Sequence, residues 1–311
     1  MKVNILMSTY NGQAFLAEQI ESIRSQTFKD WQLLIRDDGS SDKTREIIES
    51  YVQKDERISF INANDCRNIG VINSFYQLLK YEEADYYFFS DQDDVWLEDK
   101  VARQLQVLTN ERTDIPIMVY MDLKVVDSQL RVTHESMIAT QSHHANTLLR
   151  QELTENTVTG GVSALNHCLA ELWTDTQELL MHDWYLALIA SALGKLIYID
   201  RPGELYRQHD NNVLGARTLQ KRLKNWLNPQ ALVSKYWYLI RSSQKQAKHL
   251  LKLDLAEDNR ALVEAYVGIL QQPMWRRVMT LKRYGFAKNR WFHTLVFRTL
   301  IITKFGYRRN S

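Results

Sequence analysis

The sequence predicts an α/β chain: a Rossmann-like, mostly parallel central sheet followed by a helical, basic extension. Three observations carry this. The first hundred residues alternate apolar runs of strand length with segments of helical period. Each of those runs ends in polar residues, and two of the ends are acidic. Beyond Gly215 the texture changes to long helical patterns rich in Lys and Arg.

Taken in order, Lys2 to Met7 reads as a buried strand stopped by Ser8-Thr9-Tyr10-Asn11-Gly12, and Phe15, Leu16, Ile20 and Ile23 mark a helix within 13–26. Trp31 to Arg36 is a second strand, stopped by Asp37-Asp38-Gly39-Ser40, and Ser41-Asp42 can cap a helix running to about Tyr51. A third strand is expected over Ile58 to Asn62 and a third helix over Val71 to Leu79. The fourth strand, Tyr86 to Phe89, is wholly aromatic and ends at Ser90-Asp91-Gln92-Asp93-Asp94. Alternation of this kind implies parallel strands joined by right-handed crossovers, with ligands at the carboxyl ends of the strands. Farther on, Ile117 to Leu123 and Leu196 to Ile199 read as strands, and Ser163 to Thr174 and Trp184 to Leu193 as helices. Thr157 to Gly161 reads as a turn that brings backbone close to something. Leu219, Leu223, Trp226 and Leu227 form an apolar stripe opposed by Lys221, Arg222 and Lys224.

Length and composition narrow the function. With 311 residues, 45% hydrophobic and 24% charged, the chain suits a globular core and argues against disorder or a multi-span membrane protein. Its net charge of +2 hides a split. Residues 1–210 carry 19 Lys and Arg against 33 Asp and Glu, and residues 211–311 carry 20 against 4. An acidic body with room for a cation, joined to a basic region that meets something anionic, is the natural reading. Cys66 and Cys168 match no disulfide framework or metal spacing. The N-terminal apolar run meets Ser, Thr, Asn and Gly too early for a signal peptide, and no window reaches the ~18 apolar residues of a membrane span. A cytoplasmic protein is expected.

Carboxylates at a strand end are hard oxygen ligands for Mg²⁺ or Mn²⁺, and such a metal usually shares its shell with substrate phosphates. Asp91, Asp93 and Asp94 supply that donor type, although most acidic runs are solvated turns. Their position, directly after an apolar strand and before Val95-Trp96, favours the site. Asp37 and Asp38 could accept hydrogen bonds from a base or ribose, or merely cap the turn. No G-x-G-x-x-G and no G-x-x-x-x-G-K-[ST] occurs.

STYNG at 8–12, RDDGSSDKT at 36–44, RNIGVINSF at 67–75, SDQDDVW at 90–96, TGG at 159–161, HDW at 182–184 and YRQHDNN at 206–212 together resemble the family 2 inverting glycosyltransferases of the GT-A fold, over about residues 1–215. The SDQDDVW, HDW and RQHDNN forms most resemble the rhamnosyltransferases that build streptococcal rhamnose-rich cell-wall polysaccharides from dTDP-rhamnose. The resemblance implies that Thr9, Tyr10, Asp37, Asp38, Asn68, Gly70, Asp91 and Gln92 hold the nucleotide sugar. It places Asp91, Asp93 and His209 around Mn²⁺ or Mg²⁺ and the diphosphate, and Asp183 as general base. Gly160, Gly161, His182 and Trp184 fall on the acceptor side. Many members carry an acidic residue where His182 stands. Trp184 could give the acceptor sugar an apolar face, or be core.

One base and one metal suffice for an inverting displacement, whereas a retaining glycosidase needs two flanking carboxylates, and no such pair stands out. The resemblance thus implies transfer of L-rhamnose from dTDP-β-L-rhamnose to a lipid-diphosphate-linked saccharide. The alternatives are a family 2 transferase using a UDP-hexose or UDP-N-acetylhexosamine donor, and an inactive membrane scaffold of the same pathway.

Residues 271–311 hold ten Lys or Arg and no Asp or Glu, interleaved with aromatic and aliphatic residues. That composition suits peripheral binding to the inner face of an anionic membrane. The same segment could serve as a helical cap or as a contact in a homo-oligomer. No nucleic-acid motif accompanies it. The expected domains are therefore residues 1–215, catalytic, and 216–311, helical and basic.

Overall fold

The computed structural model describes residues 1–209 and 229–307. Four strands, β1 (Val3–Thr9), β2 (Gln32–Asp37), β3 (Ile58–Phe60) and β4 (Tyr86–Ser90), run parallel in the spatial order β3-β2-β1-β4. Helices α1 (Leu16–Arg24), α2 (Thr44–Lys54) and α3 (Val71–Tyr81) make the crossovers. The sheet continues through β8 (Ser163–Asn166) to β6 (Ile117–Val126) and β9 (Lys195–Arg207). Short strands β5 (Val95–Trp96) and β7 (Val132–His134) pair with β9 and β6. Strand β8 runs antiparallel to both β4 and β6, so β6 points the same way as β4.

The sheet is covered on both faces, which is why its strands read as continuous apolar runs rather than alternating ones. Ile5, Met7, Leu33, Ile35 and Phe88 pack on one side with α1, α2 and α4 (Lys100–Leu108). Leu6, Leu34, Tyr87 and Phe89 face the other side, toward α3, α6 (His167–Leu172) and α7 (His182–Leu193). The alternation of strand side chains thus divides one run into two cores.

The expected helix over Ser163 to Thr174 is corrected by the structure. Its first four residues form β8, and α6 starts only at His167. Asn166 makes the switch: its side chain accepts the Leu169 N–H at 3.1 Å, a helix N-cap that ends the strand. Because β8 is buried on both faces, its sequence carries no period of two that would have set it apart from helix. The strand expected over Leu196 to Ile199 continues to Arg207, and the other expected elements among the described residues are present with ends shifted by a few residues.

Helices α8 (Pro229–Lys248), α9 (Glu257–Gly268), α10 (Met274–Tyr284) and α11 (Trp291–Thr303) build onto the second core; α5 (Leu149–Glu152) lies between β7 and β8 in the chain. Trp237, Ile240, Tyr266, Phe286, Phe297 and Ile301 join the same apolar cluster as Leu6 and Phe89. Burial of each such side chain contributes ~1.5–3 kcal/mol, so these helices are fastened to the sheet-bearing body. The stripe Leu219, Leu223, Trp226 and Leu227, the residues Asp210, Asn211 and Asn212, and the expected 215/216 boundary lie outside the described residues.

Candidate active site

Parallel register puts the carboxyl ends of β2, β1 and β4 side by side, with Thr9 opposite Asp37 and Met7 opposite Ser90. At the β2 end the carboxylates are saturated. Asp37 accepts from the Thr9 hydroxyl at 3.0 Å and from the Gly39 and Ser40 amides at 3.1 and 2.8 Å. Asp38 forms a buried ion pair with Arg36 at 2.8 Å and accepts the Ile69 and Gly70 amides at 2.7 and 3.0 Å. These two residues thereby tie the 67–70 loop, with exposed Asn68, to the strand end. Beside them Arg36, Phe60, Asn62, Arg67, Ile69 and Gln77 line a cavity of about 310 Å³.

Tyr10 exposes its ring, and its backbone is held by Gln92. The Gln92 side chain accepts the Tyr10 N–H at 2.8 Å and donates to the Tyr10 carbonyl at 2.9 Å. Gln92 therefore clips the β1 loop to the acidic turn, with both ends of its amide already engaged.

The turn after β4 is built differently. Asp93 meets His209, Oδ2 to Nε2, at 2.7 Å, and Asp94 accepts the Arg207 amide at 2.9 Å. The buried Arg207 guanidinium donates to the carbonyls of Asp93 and Ser128 at 2.8 and 2.9 Å, pairs with Glu18, and stacks over Phe15. Below the turn, Asp94 Oδ2, both carboxylate oxygens of Glu204 and the Lys100 ammonium are buried without a hydrogen-bond partner among the described residues. Lys100 sits 3.3 Å over the Trp96 ring.

Charge in this pocket is under-compensated. Burial, then repulsion from Asp93 and Asp183, pushes Asp91 up to about 7 against the pull of Lys100. Burial pushes Glu204 up to about 8 and holds Asp94 well above the usual carboxylate range. Lys100 is brought down to about 7 by burial, with Glu204, Asp91 and Asp94 opposing. A cluster of carboxylates with one buried lysine is a natural seat for a cation. By chemistry, the carboxylates of Asp91 and Asp93 with the His209 imidazole fit a hard divalent ion. Among the described residues no three such side chains already converge as a ligand set, and His209 is bonded to Asp93 instead.

Asp183 lies in the first turn of α7, where the helix dipole favours a carboxylate. It is buried, and its Oδ1 accepts the Trp184 N–H at 2.6 Å. Burial pushes it up to about 6, opposed by the backbone amides of Trp184 and Gly160. The Thr157–Gly161 turn does bring backbone close to something. A Cβ at Gly160 would stand 3.2 Å from His182 Nε2, and one at Gly161 2.8 Å from the Glu204 carboxylate. His182 is buried, stacked 4.2 Å from Phe75, and held by burial at about 3, so it is a neutral ring. Trp184 is buried in the core cluster and donates its indole N–H to the Glu152 carbonyl at 2.7 Å.

The structure thus gathers Asp91, Asp93, His209 and Asp183 around one acidic pocket and seats Thr9, Asp37 and Asp38 beside it. Lys100, Glu204 and Arg207 belong to the same pocket and were missed from sequence. Only the paired glycines hinted at Glu204, since a glycine facing a buried carboxylate leaves room for it.

With that geometry in place, the profile described as glycosyl transferase family 2 matches residues 4–165. A dTDP-rhamnosyl transferase RfbG of Shigella flexneri is 30% identical over 286 residues, which is 87% of this chain and 93% of that protein. The UDP-Glc:alpha-D-GlcNAc-diphosphoundecaprenol beta-1,3-glucosyltransferase WfgD of Escherichia coli is 31% identical over 106 residues, 34% of this chain and 40% of that one. Among solved structures, S. aureus TarS 1-349 in complex with UDP superposes with a TM-score of 0.56 at 15% identity, covering 98% of this chain and 82% of that one. The mannosyltransferase PcManGT of Pyrobaculum calidifontis, solved with GDP-Man and Mn²⁺, gives 0.51 at 12% identity, covering 96% and 86%.

Proposed function

Because the chain belongs to glycosyl transferase family 2, we propose that it is an inverting transferase moving L-rhamnose from dTDP-β-L-rhamnose to a hydroxyl of a lipid-diphosphate-linked, rhamnose-containing saccharide at the cytoplasmic face of the membrane. The observation that carries the reaction type is Asp183, a buried carboxylate in the first turn of a helix whose charge interacts with Asp91 across the pocket. The donor reading follows the full-length relative named a dTDP-rhamnosyl transferase.

In this reading Asp183 accepts the proton of the acceptor hydroxyl as that oxygen attacks the anomeric carbon, and the nucleoside diphosphate leaves from the opposite face. Its raised affinity for a proton, set by burial, brings it nearer the value a base needs at neutral pH. Asp91, Asp93 and His209 would hold Mn²⁺ or Mg²⁺, which when bound supplies positive charge to the departing diphosphate. Arg207 fixes the Asp93–Asp94 turn through its carbonyl and carboxylate contacts, and Gln92 fixes the same turn to the β1 loop. The cavity beside Asp38 is the proposed seat of the base.

Two measurements test this. Asp183→Asn should lose transfer by ~10²–10⁴-fold while nucleotide binding persists, and near-normal turnover would end the base assignment. In a donor panel with a synthetic lipid-linked acceptor, dTDP-rhamnose should be consumed in preference to UDP-glucose. The reverse preference would move the chain toward the glucosyltransferases that WfgD represents.

A further inference from the structure

Each of the last two helices buries part of its surface and leaves large apolar side chains exposed on the rest. On α10, Leu281 and Arg277 point inward, while Met274, Trp275, Val278 and Met279 are all exposed. On α11, Phe297, Leu300 and Ile301 are in the core, while Trp291, Phe292 and Leu295 are exposed. The helices lie antiparallel across a turn at Gly285. Arg277 donates to the Ile301 carbonyl at 3.0 Å, and Arg298 to the Phe286 carbonyl at 2.9 Å. Arg276, Lys282 and Arg283 are exposed on α10 among its apolar residues, and residues 271–311 contain no acidic residue at all.

We infer that this outward face of the α10–α11 hairpin is a seat for an anionic lipid bilayer. Exposed tryptophans and methionines flanked by arginine and lysine match an interface where acyl chains meet negative headgroups. Among the described residues no helix is long and apolar enough to cross a membrane, so the hairpin lies on the surface. A protein partner of ordinary composition would leave the basic residues without counter-charge; an anionic leaflet supplies it over the whole face.

The seat is rigidly linked to the acceptor wall. The turn at 287–290 is bonded to the segment that carries α5. The Thr154 hydroxyl donates to the Ala287 carbonyl at 2.5 Å, Lys288 Nζ donates to the Thr154 carbonyl at 2.5 Å, and the Asn289 N–H donates to Glu155 at 2.8 Å. Two residues before Thr154, the Glu152 carbonyl holds the indole of Trp184, the neighbour of Asp183. The bilayer and the base are therefore attached to the same few residues, so a saccharide on a lipid anchor meets the pocket at a fixed height. This second half rests on the proposed reaction; lipid binding itself does not.

The test uses the full chain and vesicles of phosphatidylcholine with and without phosphatidylglycerol. The wild type should sediment with the anionic vesicles and far less with the neutral ones. The double variant Trp275→Glu, Met279→Glu alters only exposed side chains, so it should keep the wild-type melting temperature and nucleotide binding and lose vesicle affinity by about tenfold or more. Its transfer to a bilayer-embedded acceptor should fall while transfer to a soluble acceptor analogue is retained. Wild-type protein that ignores anionic vesicles, or a variant that binds them equally, overturns the inference. So does light scattering that finds a wild-type dimer split by the same two substitutions, because then a second copy covers the face. Vesicle binding without transfer from any donor would refute the reaction and leave the lipid seat standing.

Discussion

Asp37 and Asp38 close β2, and Asp91, Asp93 and Asp94 follow β4, two strands along in the same sheet. In sequence the two acidic groups look alike. In the fold, Asp37 and Asp38 accept hydrogen bonds from Thr9, Gly39, Ser40, Ile69 and Gly70, and Arg36 neutralises the second of them. The β4 group sits over Glu204 and Lys100 with buried oxygens unmatched. The difference separates two uses of a carboxylate. A satisfied one builds the frame; one held in excess of its counter-charge is kept ready for something that arrives later.

Substitution should separate the groups by what fails. Asp93→Asn is expected to cut transfer by ~10²–10³-fold, the scale of losing one electrostatic partner of a developing anion, with the melting temperature little changed. Steady-state kinetics and thermal melts on one preparation would check both halves, and a collapse of stability with activity per folded molecule intact would erase the contrast. Asp38→Ala should do the reverse. It leaves the buried Arg36 without its counter-ion and frees the 67–70 loop, costing about 3 kcal/mol in a denaturant titration.

The last effect concerns pH. Asp91 binds its proton more tightly folded, at about 7, than at the ordinary 3.8, so folding takes up a proton between those values. The stability that proton contributes is complete below about pH 4 and is lost as pH rises toward 7. With a chelator present, denaturant titrations at pH 4 and pH 7 should therefore show the wild type losing stability relative to Asp91→Asn across that window. Parallel stability curves for the two proteins would show that Asp91 is as well compensated as Asp38.

Much of the frame was readable because its physics is local. The period of the helices and the polar stops after β1, β2 and β4 are written in neighbouring residues, so the ends that matter could be placed. Strand β8 was not, since burial on both faces erases the alternation that marks a strand. Lys100 and Glu204 were invisible for a related reason. Lys100 follows Glu98 and Asp99 and looks like part of a solvated turn, and only tertiary packing over Trp96 puts it beneath the aspartates. The clip that the Gln92 amide makes on Tyr10 joins residues 82 apart in the chain, so no local pattern announces it. In the basic segment, composition could not distinguish Phe286 and Phe297, which are core, from Trp275 and Trp291, which are not.

The two glycines of the 159–161 turn set unequal limits on how this chain can drift. A methyl at 160 presses on the edge of a neutral aromatic ring that can yield by a few tenths of an ångström. A methyl at 161 lands 2.8 Å from the buried Glu204 carboxylate, which must then shift, so position 161 changes most easily together with position 204. Homologous chains that have lost one of this pair should have lost the other, and a laboratory lineage selected for a new sugar would have to cross that double step.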